Sequence, residues 1–235
     1  MPGGMKRWVP RTCSCQIDQL NHDRHERENQ DRRRKVLKHF SLADVGENLA
    51  DATFENWEKS PDTMTAYNEA VTFCNDWTKR KSNRRGLLIF GENSGNGKSH
   101  LLAAIAKKIN SMGDLVIYIN VSILLKRMDR KFGHSELELQ LLDSMATADL
   151  VCLDDIGLGI WTKIEQGKFE DITQELEFHN CTIAATTNLN PESELERVIG
   201  RRSLDRLTGR CRMVENRGWS YRRKRASQMM MEEEG

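Results

Sequence analysis

The chain has 235 residues, enough for one α/β domain with an extension, and its formal net charge at pH 7 is +1. A nearly balanced overall charge indicates no particular binding partner. No apolar run approaches the length of a membrane-spanning helix. The N-terminus lacks an apolar signal-peptide core, and the six cysteines are scattered along the chain. The sequence therefore predicts a cytoplasmic protein with reduced thiols and no membrane partner.

The first 45 residues form a polar arm. Residues 24–38 predict a solvated helix, whose basic side chains are Arg24, Arg27, Arg32, Arg33, Arg34, Lys35 and Lys38. Cys13 and Cys15, followed by His22 and His25, raise the alternative of a zinc site. Paired zinc cysteines more often stand two or more residues apart, so a basic arm with incidental cysteines and histidines is the favoured interpretation.

A glycine-rich loop follows the short apolar run Leu87–Phe90, which is typical of a buried parallel strand. The residues after the loop are good helix formers with one apolar face. Glycines can turn backbone N–H groups toward one anion, and the helix N-terminus adds its positive end. The loop therefore predicts a nucleotide phosphate site, with Lys98 on the β and γ phosphates and the Ser99 hydroxyl on magnesium. The loop ends in Gly95, Asn96, Gly97, Lys98 and Ser99.

The spacing within this loop departs from the common one. A glycine usually stands five residues before Gly97, but Glu92 occupies that position and the glycine is one residue earlier, at Gly91. The loop is thus one residue longer, or its first turn differs. Phosphate binding is expected to survive, because the Gly-Lys-Ser end is intact. The alternative is a glycine turn in an ordinary βα unit.

A second predicted strand, Leu115–Val121, leads into a helix that ends in a basic patch. Single-stranded DNA is the predicted ligand of this patch, through Lys126, Arg127, Arg130 and Lys131. Another basic stretch, from Arg197 to Arg225, holds eleven Lys or Arg and two acidic residues. One such patch is more often a solvated face, but three on one chain favour nucleic acid.

Two carboxylates end a further apolar run. Leu150–Leu153 predicts a buried strand, and Asp154 and Asp155 fall at its C-terminal end, where open α/β sheets bind ligands. Asp154 suits the magnesium shell, by way of water or Ser99, and Asp155 suits a base that polarises the attacking water. The alternative is a pair of capping or solvated aspartates in a loop.

The last predicted core strand is Thr182–Thr187, which ends at Asn188. An amide at this strand end would lie near the γ-phosphate and orient water. Residues 188–191 also have good turn chemistry, and both interpretations can hold together.

Leu87 to Arg222 resembles the ATPase domain of bacterial helicase loaders of the DnaC/DnaI type, within the AAA+ superfamily. Besides the loop and Leu153-Asp154-Asp155-Ile156-Gly157, the resemblance is carried by Thr53–Trp57, His100-Leu101, Thr186-Thr187-Asn188-Leu189, Gly200–Leu207 and Ser220-Tyr221-Arg222. It implies an α/β AAA+ P-loop domain over residues 46–225, with a central parallel sheet flanked by helices. The helical, basic N-terminal arm would occupy residues 1–45, and residues 226–235 would be a flexible tail.

The resemblance also implies roles for four side chains outside the phosphate loop. Arg206 would be an arginine finger donated to ATP on a neighbouring subunit, with Arg202 in support. Arg222 would contact its own subunit's γ-phosphate, and His100 would join the nucleotide site. A guanidinium at the transferred phosphoryl group stabilises developing charge. The alternative for each arginine is a surface charge.

The function implied is an ATP-dependent loader that delivers a hexameric replicative helicase onto single-stranded DNA at replication initiation. In this family the N-terminal part binds the helicase, while the ATPase domain binds DNA and self-associates through the ATP site. Hydrolysis is expected to be slow and DNA-dependent, because the finger comes from another subunit. The alternatives are a transposition helper ATPase of the IstB type and a nucleotide-gated adaptor with little hydrolysis, which the lengthened loop favours.

Overall fold

The computed structural model describes residues 14–40, 45–129, 135–221 and 223. The helices are α1 (Ser14–Leu37), α2 (Met64–Asn75), α3 (Trp77–Asn83), α4 (Lys98–Ser111), α5 (Val121–Asp129), α6 (Ser135–Thr147), α7 (Lys163–Phe178), α8 (Glu196–Ile199) and α9 (Arg201–Arg210). The strands are β1 (Gly86–Phe90), β2 (Val116–Asn120), β3 (Leu150–Ile156), β4 (Thr182–Thr187) and β5 (Cys211–Glu215).

The five strands found among the described residues form one sheet in the order β2-β3-β4-β1-β5, and every neighbouring pair is parallel. Helices α2, α3 and α4 cover one face of the sheet, and α5, α6, α7 and α9 cover the other. Four strands, β1 to β4, are buried almost throughout, which explains the apolar runs in β1, β2 and β3, whereas β5 at the sheet edge is largely exposed. The predicted central parallel sheet flanked by helices is confirmed.

The observed strand bounds follow the predicted ones closely. β4 has the predicted residues, and β1 begins one residue early, at Gly86. A Cβ at Gly86 would lie 2.2 Å from the Ile183 carbonyl oxygen, so this position requires glycine. β2 is shorter than predicted, because Val121 already belongs to α5. β3 runs three residues beyond the predicted apolar run Leu150–Leu153, so both aspartates lie inside the strand.

Within the N-terminal arm, Ser14–Leu37 is helical, as predicted, and the end of this helix joins the core. Val36 and Phe40 are buried in the cluster on the α5–α7 face of the sheet. Arg32 donates to the Asp149 carboxylate at 2.9 Å and to the Thr147 carbonyl at 2.8 Å. Side chains described between residues 16 and 31 are almost all exposed. The boundary at residue 45 stays a prediction, and residues 226–235 lie outside the described chain.

None of the helices described is long and apolar enough to cross a membrane.

Candidate nucleotide site at the carboxyl edge of the sheet

Lys98 is folded into the glycine-rich loop. Its Nζ donates to the Gly91 carbonyl at 2.7 Å, the Asn93 carbonyl at 3.0 Å and the Asn96 Oδ1 at 2.9 Å. Only 4% of Lys98 is exposed. Burial lowers the pKa of the ammonium to about 8, while the nearby carboxylates of Asp155 and Asp154 act in the opposite direction. A phosphate must therefore exchange with these loop oxygens to reach Lys98.

Close packing explains two loop glycines. Gly97 caps α4 with φ 94°, and a Cβ there would lie 2.3 Å from the Trp57 ring. A Cβ on Gly91 would lie 2.3 Å from the Asn216 carbonyl oxygen. The unusual position of Gly91 thus accommodates another part of the chain, which local spacing rules cannot reveal.

That part is the C-terminal strap, defined here as Asn216–Tyr221. Asn96 Nδ2 donates to the Asn216 carbonyl at 2.8 Å, and Asn216 Nδ2 donates to the Asn96 carbonyl at 3.0 Å. The Tyr221 N–H donates to the Gly95 carbonyl at 2.9 Å. Arg222 follows directly but lies outside the described residues. Its predicted place beside the phosphates stays a prediction, and the preceding residue already contacts the loop.

The two aspartates of β3 have different surroundings. Asp154 is buried and accepts from the Tyr118 hydroxyl at 2.8 Å and from the Thr186 hydroxyl at 2.5 Å. Asp155 is partly exposed and has φ 55°. Its N–H donates to Thr186 Oγ1 at 2.9 Å, and its carboxylate accepts from Asn120 Nδ2 at 3.3 Å.

Asp154 stays in register with Asn120 of β2, whereas the register between β3 and β4 shifts between Leu153 and Ile156. Asp154 is therefore part of the buried sheet, and the alternative of two solvated loop aspartates does not hold for it. Both carboxylates are close enough to Lys98 to influence its pKa. The structure thus brings the two predicted motifs together.

The remaining predicted nucleotide residues lie along the same edge. Ser99 is the second residue of α4, and Asn188 directly follows β4. The Leu189 N–H bonds Thr187 Oγ1 at 3.1 Å, so the predicted turn forms immediately after the strand. His100 Nε2 lies 2.8 Å from the Thr53 carbonyl oxygen. His100 therefore joins α4 to the Thr53–Trp57 segment, and its contact with nucleotide stays a prediction.

The two candidate finger arginines contact α7 of their own chain. Arg206 Nε lies 3.1 Å from Glu177 Oε2, and 21% of its side chain is exposed. Arg202 Nη1 lies 3.0 Å from Glu170 Oε1, and 79% of its side chain is exposed. Arg206 Nη1 is buried without a hydrogen-bond acceptor. To act in a neighbouring site, Arg206 would have to exchange Glu177 for phosphate, whereas Arg202 already faces solvent.

The predicted DNA patch is only partly described. Lys126 is exposed at the end of α5, whereas Arg127 Nη1 donates to the His39 carbonyl at 3.2 Å. Arg130 and Lys131 lie outside the described residues.

The zinc alternative gains no support. Within the described ranges, no group of three or more His, Cys, Asp or Glu side chains is placed to hold a metal ion. His22 lies 3.4 Å from Glu26 on α1. Cys13 and the side chains of Cys15 and His25 are outside the described part of the chain.

The sequence did not predict a role at this site for Tyr118, Thr186, Trp57 or Asn216. Thr186 and Trp57 stood in segments that carry the family resemblance, but nothing local gave their side chains a role. Tyr118 and Asn216 carry no motif, since their significance depends on partners more than thirty residues away.

Comparison with known proteins agrees with this geometry. The family model described as IstB-like ATP binding protein matches residues 12–229. The replicative helicase loader DnaC of Escherichia coli (strain K12) is 28% identical over 184 residues, which cover 77% of this chain and 72% of that relative.

Solved structures share the fold. A crystal structure of the DnaC helicase loader matches with a TM-score of 0.63 at 17% identity, covering 73% of this chain and 100% of that one. A crystal structure of DnaI matches at 0.61 and 21% identity, covering 72% and 93%. AMPPCP-bound DnaA from Aquifex aeolicus matches at 0.59 and 22% identity, covering 72% and 50%. These likenesses show that the domain has the AAA+ P-loop fold. The chain belongs to the family of IstB-like ATP-binding proteins.

Proposed function

We propose that this protein is an AAA+ ATPase that binds Mg-ATP at the carboxyl edge of its sheet and delivers a hexameric replicative helicase onto single-stranded DNA. The observation that carries the ATPase part is the meeting of the Lys98 loop with Asp154 and Asp155. Relatedness to DnaC over most of both chains supports the loader part.

Each residue of the edge has a proposed task. The Lys98 ammonium and the loop N–H groups bind the β and γ phosphates. Ser99 and Asp154 would hold magnesium, which supplies charge neutralisation of the phosphates. Asp155 accepts a proton from the attacking water, and Asn188 orients that water. The partly exposed position of Asp155, beside buried Asp154, supports this division.

Asp155→Asn is expected to retain ATP binding and lose hydrolysis. An amide cannot take a proton, and removing a positioned base typically costs about 10²–10⁴-fold in rate. Asparagine tolerates the left-handed backbone at φ 55° and leaves Asn120 a partner, so the fold is preserved. Phosphate release and titration of a fluorescent ATP analogue measure the two properties. Glu92→Gln removes an exposed loop acid as the control; wild-type hydrolysis by Asp155→Asn would exclude Asp155 as the base.

Residues 16–31 of α1 are the proposed helicase-binding surface, because their described side chains are almost all exposed and include the apolar Ile17 and Leu20. The wild-type chain is expected to capture its cognate replicative helicase in a pull-down. Ile17→Ser combined with Leu20→Ser is expected to lose that capture and keep ATP binding. Capture of a transposase, with no capture of the helicase, would contradict the loader proposal.

Capture of a transposase without capture of the helicase would establish the second candidate function, a transposition helper ATPase of the IstB type. The match of an IstB-like family model to residues 12–229 favours it. The third candidate, a nucleotide-gated adaptor, is favoured by the complete engagement of Lys98 with loop oxygens. ATP binding without DNA-stimulated phosphate release would distinguish the adaptor from both ATPases.

The basic end of α5 is the proposed contact for single-stranded DNA. Changing Lys126, Arg127, Arg130 and Lys131 to glutamine is expected to weaken binding and to reduce the slope of log affinity against log salt by up to about 3, since single strands release about 0.7 counterions per neutralised phosphate. Fluorescence anisotropy with labelled oligothymidine at several salt concentrations measures both quantities.

Arg127 also donates to the His39 carbonyl, so its substitution can disturb the fold as well as remove a charge. Lys126→Gln alone removes a charge without breaking that hydrogen bond. Lys79→Gln is the matched control, because Lys79 is exposed on α3 across the sheet from α5. A fourfold variant that binds as well as the wild type at moderate salt would place the DNA site elsewhere.

A further inference from the structure

Both oxygens of the Asp154 carboxylate are held by buried hydroxyl groups from neighbouring strands. Tyr118 on β2 donates to Oδ2 at 2.8 Å, and Thr186 on β4 donates to Oδ1 at 2.5 Å. Tyr118 is 2% exposed and Thr186 is fully buried. Asp154 therefore lies in the central strand of three, with one fixed donor on each side.

The direction of both hydrogen bonds is determined by the surroundings. The carboxylate oxygen of Asp154 accepts, so the Tyr118 hydroxyl is the donor of the bond between them. Thr186 Oγ1 accepts the Asp155 N–H at 2.9 Å, which leaves its own proton for Asp154. Each carboxylate oxygen thus accepts one hydroxyl and keeps another lone pair.

We infer that Tyr118 and Thr186 are positioning residues for the metal function of Asp154. Two donors fix the rotation of the carboxylate, which leaves the free lone pairs of both oxygens in a fixed direction. The inference rests on the proposed magnesium role of Asp154. It adds that this role depends on a tyrosine in β2, a strand that carries none of the recognised nucleotide motifs.

Thr186 extends the same arrangement to Asp155. One hydroxyl accepts from the Asp155 backbone and donates to the Asp154 side chain, so the proposed metal ligand and the proposed base share a fixed partner. A phenylalanine at position 118 would fill the same space on the α4 side of the sheet. Packing therefore does not account for the hydroxyl, whereas donation to Asp154 does.

The test is the metal dependence of nucleotide binding. Binding of a fluorescent ATP analogue is titrated with Mg²⁺, and separately with Mn²⁺, for the wild type, Tyr118→Phe and Thr186→Val. Tyr118→Phe is expected to raise the half-maximal metal concentration by about 10–100-fold, the usual effect of losing an outer partner of a metal ligand. Affinity for the analogue without metal is expected to change less than about twofold, because Lys98 and the loop are intact.

Tyr67→Phe is the matched control. Tyr67 stacks on Trp57 near the loop, and its hydroxyl bonds the Phe54 carbonyl rather than Asp154. Tyr118→Phe is also made with Asp154→Asn. If Tyr118 acts through Asp154, it has no further effect on metal dependence in that background. A full additional loss there would identify a merely structural role and overturn the inference.

Two other outcomes are distinct. A wild type whose nucleotide binding depends on metal, together with a folded Tyr118→Phe of unchanged metal dependence, overturns only the positioning role. A wild type that binds nucleotide with no metal dependence overturns the magnesium assignment of Asp154 and, with it, this inference.

Discussion

Lys98→Ala is expected to abolish ATP binding. The substitution removes the loop's cation and its charge-assisted bonds to the phosphates. Each such bond contributes about 1.5–3 kcal/mol, so the loss of two weakens binding on the order of a thousandfold. Titration of a fluorescent ATP analogue measures the loss, and unchanged affinity would remove the nucleotide assignment.

The control must separate lost charge from a collapsed loop, because Lys98 also joins the oxygens of Gly91, Asn93 and Asn96. Thermal unfolding and circular dichroism report whether the variant folds. Lys108→Ala removes an exposed lysine from the far end of the same helix and is expected to bind ATP normally. Equal losses in both variants would point to a general effect of charge on binding.

The sequence predicts the parts of the site that depend on local pattern. β1, β3 and β4 are buried strands, so β1 and the first part of β3 appear as apolar runs, and β3 and β4 lead into the polar residues Asp154, Asp155 and Asn188. Parallel strands end at the same edge of a sheet. The sequence alone therefore predicts that the loop before α4, Asp154 and Asn188 lie close together. The match of β4 to its predicted bounds follows from the same reasoning.

Other parts of the site depend on distant contacts. Asn216 lies 120 residues from Asn96, and Tyr118 lies 36 residues from Asp154. Neither contact leaves a local signal, since an asparagine after a strand and a tyrosine in a strand are both ordinary. The position of Gly91 was visible as an irregularity, but its cause, the close approach of the strap, required the tertiary structure.

The side-chain partners of Arg206 on α7 are another contact that the sequence could not predict. The resemblance implies that Arg206 contacts the phosphate of ATP on a neighbouring subunit. In the single chain its side chain instead contacts α7. Glu177 and Gln174 of α7 accept from it at 3.1 and 3.3 Å. A phosphate carries more negative charge than one carboxylate, so exchange on assembly is electrostatically reasonable.

Arg206→Ala is expected to bind ATP normally and hydrolyse it poorly. Its own loop and Lys98 are intact, whereas loss of a finger in other phosphoryl-transfer proteins costs about 10³–10⁵-fold in rate. Mixing Arg206→Ala with Lys98→Ala, each inactive alone, is expected to restore part of the activity. In a mixed assembly, a Lys98→Ala subunit still offers its arginine to the intact ATP site of its neighbour.

Phosphate release is measured across mixing ratios with single-stranded DNA present. Arg202→Ala is tested in the same way and is expected to lose less activity, because Arg202 has the supporting role. Arg201→Ala is the matched control, since this exposed arginine begins the same helix and pairs only loosely with Asp205, at 3.8 Å. Rescue of Arg202→Ala but not Arg206→Ala would transfer the finger to the more exposed residue. Failure of both to be rescued, with folded variants that still co-assemble, would mean that the ATP site is not shared between subunits.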